Sequence, residues 1–218
     1  LGHEVTGAAP HGSVVPEGGA LIETVRLPEE QDQDRLAYAT YRDALPNFDV
    51  IHDFSHNHMV ARDQPALPTV NMVWDPIVTE YSWKAHMNIV CLSEWQAARF
   101  RSLYRQDALV MPPCVDTDRY AFEPNKSDRF LFLGKISPEK GVHLAIQYCA
   151  KLGVPLDVVG GLIPSEMDSP YLNAIQQSCN AAGFGFHFNV HEATKIMLLQ
   201  RARAVLYPVQ QDEAHWLV

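Results

Sequence analysis

Apolar residues in this chain come in short runs closed by glycine, proline or polar clusters, and between several runs the spacing becomes helical. The clearest alternation lies between residues 129 and 160. Phe130-Leu131-Phe132-Leu133 is a four-residue apolar run ended by Gly134, which predicts a strand buried on both faces. Val142, Ala145, Ile146 and Cys149 follow at i, i+3, i+4 and i+7, one apolar stripe of a helix that Gly153 and Pro155 stop. Leu156-Asp157-Val158-Val159-Gly160 predicts a second strand. This is a βαβ unit, and it implies a parallel sheet with a right-handed crossover.

The same reading elsewhere predicts strands directly after Leu1-Gly2 and over 21–25, 49–52, 68–73, 88–92, 108–111, 186–189 and 204–207. The strand over 49–52 reads as buried. Helices are predicted over 29–45 with Leu36, Ala39 and Tyr41 as apolar positions, from 94 to about 103, over 171–182, and over 192–203 with Ile196, Leu199 and Ala202 on one face. Ser93 and Gln96 have the spacing of a capping box. Residues 9–19 read as loop, and residues 114–125 as a polar linker between two halves.

Candidate chemistry gathers where strands end. Lys135 leaves the strand at Gly134, and Lys140 falls in the first turn of the helix that Ser137 would cap and Pro138 would open. Ligands of open α/β sheets bind beyond the carboxyl ends of the strands, and a helix N-terminus there suits phosphate. A cation in a first helical turn opposes the helix dipole, so an anion between the two lysines would explain both. A solvated surface lysine is the plainer alternative. Ser137-Pro138-Glu139-Lys140 also fits S-x-x-K, but the companion S-D-N and K-T-G motifs are absent. Glu213 lies beyond another strand end. His52, Asp53, His56 and His58 form a polar loop without an H-E-x-x-H pattern, and no metal site is assigned to them.

Composition narrows the partners. A net charge of −9 argues against a nucleic-acid backbone as ligand, while leaving room for a local basic pocket. The contents of 47% hydrophobic and 20% charged residues are those of a globular chain. Cys91, Cys114, Cys149 and Cys179 are far apart in apolar contexts, which predicts reduced, buried thiols and a cytoplasmic setting. No run is long and apolar enough for a transmembrane helix, although peripheral membrane contact is compatible with the sequence.

FLFLGKISPEKGVHLAI followed by LDVVGG resembles the donor-binding half of the family 4 retaining glycosyltransferases, with its strand, Gly-Arg, short loop, Lys-Gly and helix. GHEVT and FDVIH are similar to strands of that family's N-terminal domain, PPCVDTDRY to its interdomain segment, and LYPVQQDEAHWLV to the opening of its E-x7-E motif. The resemblance implies an α/β fold of two Rossmann-like domains (GT-B). Residues 1–116 would be the acceptor-side domain lacking its first strand, and residues 117–218 the first part of the donor-binding domain. Both domains would be incomplete, and the chain by itself inactive. The implied activity is transfer of a sugar from a nucleotide-diphosphate donor to an acceptor (a sugar, a lipid-linked or a small molecule) in the interdomain cleft. No cofactor or metal is implied.

By the same resemblance Gly134, Lys135 and Lys140 would hold the donor diphosphate and Glu213 the hydroxyls of the donor sugar, the two lysines and Glu213 would be catalytic, and His52, His56 and Trp74 would face the substrate. Departures are Lys135 for the family's arginine, Trp74 for a histidine, Pro113-Cys114 for Asn-Gly, and Ala214-His215-Trp216-Leu217 for a segment containing Pro-Phe-Gly. Alternatives are another GT-B nucleotide-sugar enzyme of the epimerase kind, or a non-catalytic nucleotide-sugar-binding member.

Overall fold

A computed structural model describes residues 2–24, 33–74, 88–162 and 169–214. These gather into two compact units, residues 2–113 with 213–214 in one and residues 114–212 in the other. Parts of the expectations for 25, 29–32 and 75–76, and that for Trp216, lie outside the described residues.

The second unit is built on three parallel strands in the order β7 (Phe130–Leu133), β8 (Leu156–Gly160) and β9 (Gly185–Phe188). Leu133 pairs with Val159, and Gly160 with Phe188, so the carboxyl ends of the three strands are level. Helices α4 (Val142–Leu152) and α5 (Pro170–Ala182) cover one face. The four stripe residues of α4 are all buried there, against Phe132, Leu156 and Val158. On the other face Leu131 and Val159 meet Ala202, with Leu198 and Leu199 of α6 (Glu192–Arg201) packed beside them. A sheet covered on both faces has no solvent side for alternation, which is why its strands read as unbroken apolar runs.

Residues 204–207 run beside the free edge of β7 through one bridge, Leu131 to Val205, rather than as a full strand. Backbone hydrogen bonds from Leu131 to Ala204 and from Leu206 to Leu131 hold that bridge. The segment expected to be a linker is tied to α6. Arg119 pairs with Glu192 at 2.7 Å, and the Lys126 ammonium donates to the Gln200 carbonyl at 2.6 Å.

The first unit carries two sheets. Strands β1 (Thr6–Pro10) and β2 (Ala20–Thr24) pair in parallel, and β3 (Ile51–Asp53), β4 (Thr69–Val73), β5 (Asn88–Cys91) and β6 (Leu109–Val110) form a second parallel sheet in that order. The first strand thus begins four residues beyond Gly2 and takes in Ala9 and Pro10, expected to be loop. Its ladder with β2 is set by the pairing of Thr6 with Ala20, and Pro10 sits at the strand's end, where a missing N–H is tolerated.

Helix α1 (Gln33–Tyr41) lies beside β1, β2 and α2, whereas α2 (Met59–Asp63) and α3 (Glu94–Tyr104) accompany the second sheet. In α1 the buried residue is Tyr38, not Leu36 or Ala39, because its ring enters the core while its hydroxyl donates to Asp63 Oδ2 at 2.6 Å. Strand β3 is at the sheet's edge, so Val50 and His52 are exposed where a buried strand was expected. Ser93 caps α3 by accepting from the Gln96 amide. The Gln96 side chain closes back on the Leu92 amide at 2.6 Å rather than on that of Ser93.

Candidate functional site

The carboxyl ends of β7, β8 and β9 open onto a cavity of about 490 Å³. Its walls are the ends of the strands themselves, Leu133, Gly134, Val159 and Gly160, with Gly161 and Val190 just beyond. Lys135, Lys140 and Lys195 line it, together with Asn189 and Tyr207, and among the described residues no acid lines it. A cavity of this size falls in the range of small-molecule sites.

Local sequence explains the shape. After Gly134 the chain makes one 3₁₀ turn, Pro138–Lys140, then passes Gly141 in the left-handed region at φ +73° before α4 starts at Val142. Lys140 is therefore not in the first turn of the α-helix, and Ser137 makes no capping hydrogen bond. Gly141 is what separates the two helical pieces. A side chain there would be strained by φ and would also strike the Pro208 carbonyl, which lies against the Gly141 Cα. The glycine of the Lys-Gly pair thus lets residues 207–210 close over the loop, with the Gln210 amide donating to the Glu139 carbonyl at 2.7 Å. Gly160 is constrained in a second way. A Cβ would collide with the Gly134 carbonyl and Ile136, so strand end and loop touch backbone to backbone.

The loop is electropositive. The Glu139 carboxyl is held below its usual value, first by its own backbone amide and, among charges, by Lys135 and Lys140. Lys140 Nζ lies 6.0 Å from the centre of the Tyr207 ring, at the limit of a cation–π contact. The structure brings Gly134, Lys135 and Lys140 together in one cavity. Glu213 is half-buried and groups with the first unit, next to Ala214, whose carbonyl accepts from the Ser93 hydroxyl at 2.6 Å. It is not among the cavity's lining residues.

Sequence reasoning missed Lys195 and Asn189. Lys195 lies in the opening turn of α6, and α6 was read only for its apolar stripe. The argument applied to Lys140, a cation near a helix start beyond a strand end, would have found it. Asn189 follows β9 at φ +48°, a conformation asparagine tolerates better than most residues.

In the first unit His52 of β3 clusters with Phe54 and Trp74, which lie just beyond the ends of β3 and β4. The His52 and Phe54 ring centres are 4.1 Å apart and those of Phe54 and Trp74 5.5 Å, the latter pair stacked. Phe54 had not been singled out. His56 lies in the same loop, in the turn that leads to His58. Burial lowers the His52 pKa and outweighs the opposing charge of Asp53. Among the described residues no three His, Cys, Asp or Glu side chains gather as a metal site, and no helix is long and apolar enough to cross a membrane. Cys91, Cys149 and Cys179 are buried, but Cys114 is exposed because it opens the irregular segment after Pro113 instead of ending a strand.

No family model and no curated protein matches this sequence. Solved structures do. Anabaena Alr3699/HepE, crystallised in complex with UDP and glucose, aligns with a TM-score of 0.67 at 16% identity, over 90% of this chain and 62% of that one. A glycosyltransferase from Rickettsia africae gives 0.64 at 14% identity, over 91% and 62%. AviGT4, a glycosyltransferase involved in avilamycin A biosynthesis, gives 0.57 at 22% identity, over 78% and 49%. The chain spans between about half and three-fifths of these proteins. At such identities the likeness is one of architecture, and the chain has an α/β Rossmann-like fold of the GT-B type.

Proposed function

We propose that the cavity at the carboxyl edge of β7–β9 is a nucleotide-diphosphate site, and that the protein transfers a sugar from a nucleotide-diphosphate donor to an acceptor with retention, as family 4 glycosyltransferases do. The observation that carries this reading is the lining: three lysines and two backbone-close glycines at the ends of parallel strands, with no acid among the described residues. Residues 117–218 then belong to the donor-binding domain and residues 1–116 to the acceptor side.

Lys135 and Lys140 neutralise the charge that develops on the departing diphosphate, an electrostatic contribution that needs donors fixed in advance. Lys135 supplies a point charge where an arginine would supply a bidentate fork. Glu213 orients the donor sugar, and His52, His56 and Trp74 face the substrate. The alignment with a structure holding UDP and glucose supports the choice of ligand class.

Calorimetric titration with UDP, GDP and ADP at low and high salt tests the site. Lys140→Ala should weaken binding by about 1–3 kcal/mol, the range for hydrogen bonds to charged groups, and the loss should shrink as salt rises. Equal affinity in Lys140→Ala, with no response to salt, removes Lys140 from the site. Product analysis with nucleotide sugars then separates transfer from epimerisation and from binding alone.

A further inference from the structure

Three buried oxygens meet where β3 ends, and none has a hydrogen-bond partner among the described residues: Asp53 Oδ2, Ser55 Oγ and Asn71 Oδ1. Asp53 is 5% exposed and Asn71 0%. The two are register neighbours on adjacent parallel strands, so their side chains leave the same face about one strand spacing, or about 4.8 Å, apart. The Ser55 amide donates to Asp53 Oδ1 at 2.8 Å, which folds Ser55 back beside the same carboxyl and leaves Oδ2 over. Asn71 Nδ2 donates to the Asn88 carbonyl at 3.4 Å, on the β5 side of the strand. A carbonyl only accepts, so the amide nitrogen must face it, and the amide oxygen is left on the β3 side, toward Asp53.

We infer that these three oxygens bind a monovalent alkali cation, sodium or potassium, between β3 and β4. A carboxylate and an amide oxygen are both acceptors, and a buried charge is either paired or bound to a metal. Among the described residues no donor, lysine and arginine included, bonds to Asp53 Oδ2. The chemistry of the set gives the class of ion. Every ligand is a hard oxygen, which does not suit metals that seek thiolate or imidazole. A single carboxylate carries the one negative charge that a monovalent ion cancels, whereas calcium takes roughly six to eight oxygens, several of them commonly from carboxylates. An ion about 2.5 Å from each of two oxygens spans about 5 Å, the spacing of the strands. Thr69 shares the face but stands two residues, or about 6.6 Å, back along β4, outside that reach. So placed, the ion ties the loop that starts at Phe54 to β4, and with it the strand ends that carry His52, Phe54 and Trp74. The inference is independent of the nucleotide-diphosphate reading of the second unit.

The test is urea denaturation of the whole chain at one ionic strength in sodium, potassium and choline chloride. Tryptophan fluorescence follows it, since Trp74 and Trp95 belong to the first unit. Sodium or potassium should raise the folding equilibrium constant of the native chain over its value in choline, by about tenfold once the ion reaches about ten times its dissociation constant. Asp53→Asn keeps the shape and an acceptor for the Ser55 amide, so it should fold, and it should be equally stable in the three salts. Thr69→Val should keep the native response. Equal stability of the native chain in all three salts overturns the inference and assigns the charge beside Asp53 to His58, which interacts with it, or to a proton. A response that survives undiminished in Asp53→Asn also overturns it, as an effect of salt on the protein at large. Loss of the response in Thr69→Val overturns the placing of the ion at the end of β3.

Discussion

The sheets β3–β6 and β7–β9 are both parallel and both covered by helices, yet they place their polar groups differently. In β8 the residues Leu156, Val158 and Val159 are at most 1% exposed, and the one acid, Asp157, is held by Arg129. That fork gives two bonds of 2.7 and 2.8 Å to the carboxylate. The cations of the cavity stand at the rim. In the first unit Asp53, Thr69 and Asn71 lie inside the sheet, on one face, since Asp53 pairs in register with Asn71, two residues on from the pairing of Ile51 with Thr69. Their oxygens Asp53 Oδ2, Thr69 Oγ1 and Asn71 Oδ1 are buried without hydrogen-bond partners among the described residues. Each such atom costs about 1–3 kcal/mol. The β7–β9 sheet thus stays dry under a charged edge, and the second unit's buried unpartnered oxygen among the described residues, Ser137 Oγ, lies in the loop beyond β7. The first spends stability on polarity within the scaffold.

The largest expected effect breaks the scaffold of the second unit at its edge. Gly141→Ala holds a methyl-bearing residue at φ +73° and drives the Pro208 carbonyl from its place. A destabilisation on the order of 3 kcal/mol is expected, with loss of nucleotide binding, because backbone strain and displacement of residues 207–210 act together. Urea denaturation and calorimetry measure the two. A variant as stable as the native protein would show that the 3₁₀ turn and α4 do not depend on this close approach.

The second unit was also the more legible in sequence. Its strands are apolar throughout and its α4 stripe is fully buried, so one pattern carried both local structure and packing. The break at Gly141 was not visible. Ser137-Pro138 is ordinary helix-start chemistry, and only the Pro208 carbonyl, a contact from residues far along the chain, explains why the α-helix begins later. Lys195 escaped because periodicity directs attention to apolar positions. In the first unit the polar interior hid the pattern. Tyr38 falls outside the positions Leu36, Ala39 and Tyr41 that the spacing picks out, and its place in the core shows only once Asp63 receives its hydroxyl; β3 mixes the buried Ile51 and Asp53 with the exposed His52.

A smaller effect sharpens the comparison by removing the device that keeps the second sheet's acid paired. Burial alone would raise the Asp157 pKa, but hydrogen bonds from Arg129 and His187 outweigh it and the net shift is downward. A carboxyl depressed in the folded state contributes stability above its unfolded pKa of about 3.9, and loses it as pH falls through the folded value. Arg129→Ala leaves the carboxylate buried. The expected loss at pH 7 is on the order of 2 kcal/mol, below that of a fully buried pair because the guanidinium is partly exposed. The deficit should narrow below about pH 4, as protonation removes the uncompensated charge. Denaturation midpoints at pH 7 and pH 3.5 decide it. A deficit that does not change with pH would mean that Arg129 acts through packing alone.

The smallest effect tests the comparison at its centre, through one chemical change made in opposite directions. Thr69→Val in β4 removes a buried hydroxyl oxygen that has no hydrogen-bond partner among the described residues. It keeps a β-branched side chain suited to a strand. The Thr69 carbonyl, which accepts from Asn88 Nδ2 at 3.0 Å, is untouched. Stability should therefore stay within about 0.5 kcal/mol of the native value, or rise by up to about 1 kcal/mol, as the desolvation penalty of the hydroxyl disappears. Val158→Thr in β8 does the reverse. Val158 is 0% exposed and packed among apolar side chains, so a hydroxyl there meets no acceptor prepared for it. That variant should lose about 1–3 kcal/mol. Urea titrations of both, against the native chain, give the two numbers. Similar losses would mean that Thr69 is satisfied in solution and that the two sheets are dry to the same degree; opposite signs would establish that the first unit carries a polar interior at a cost to its own stability.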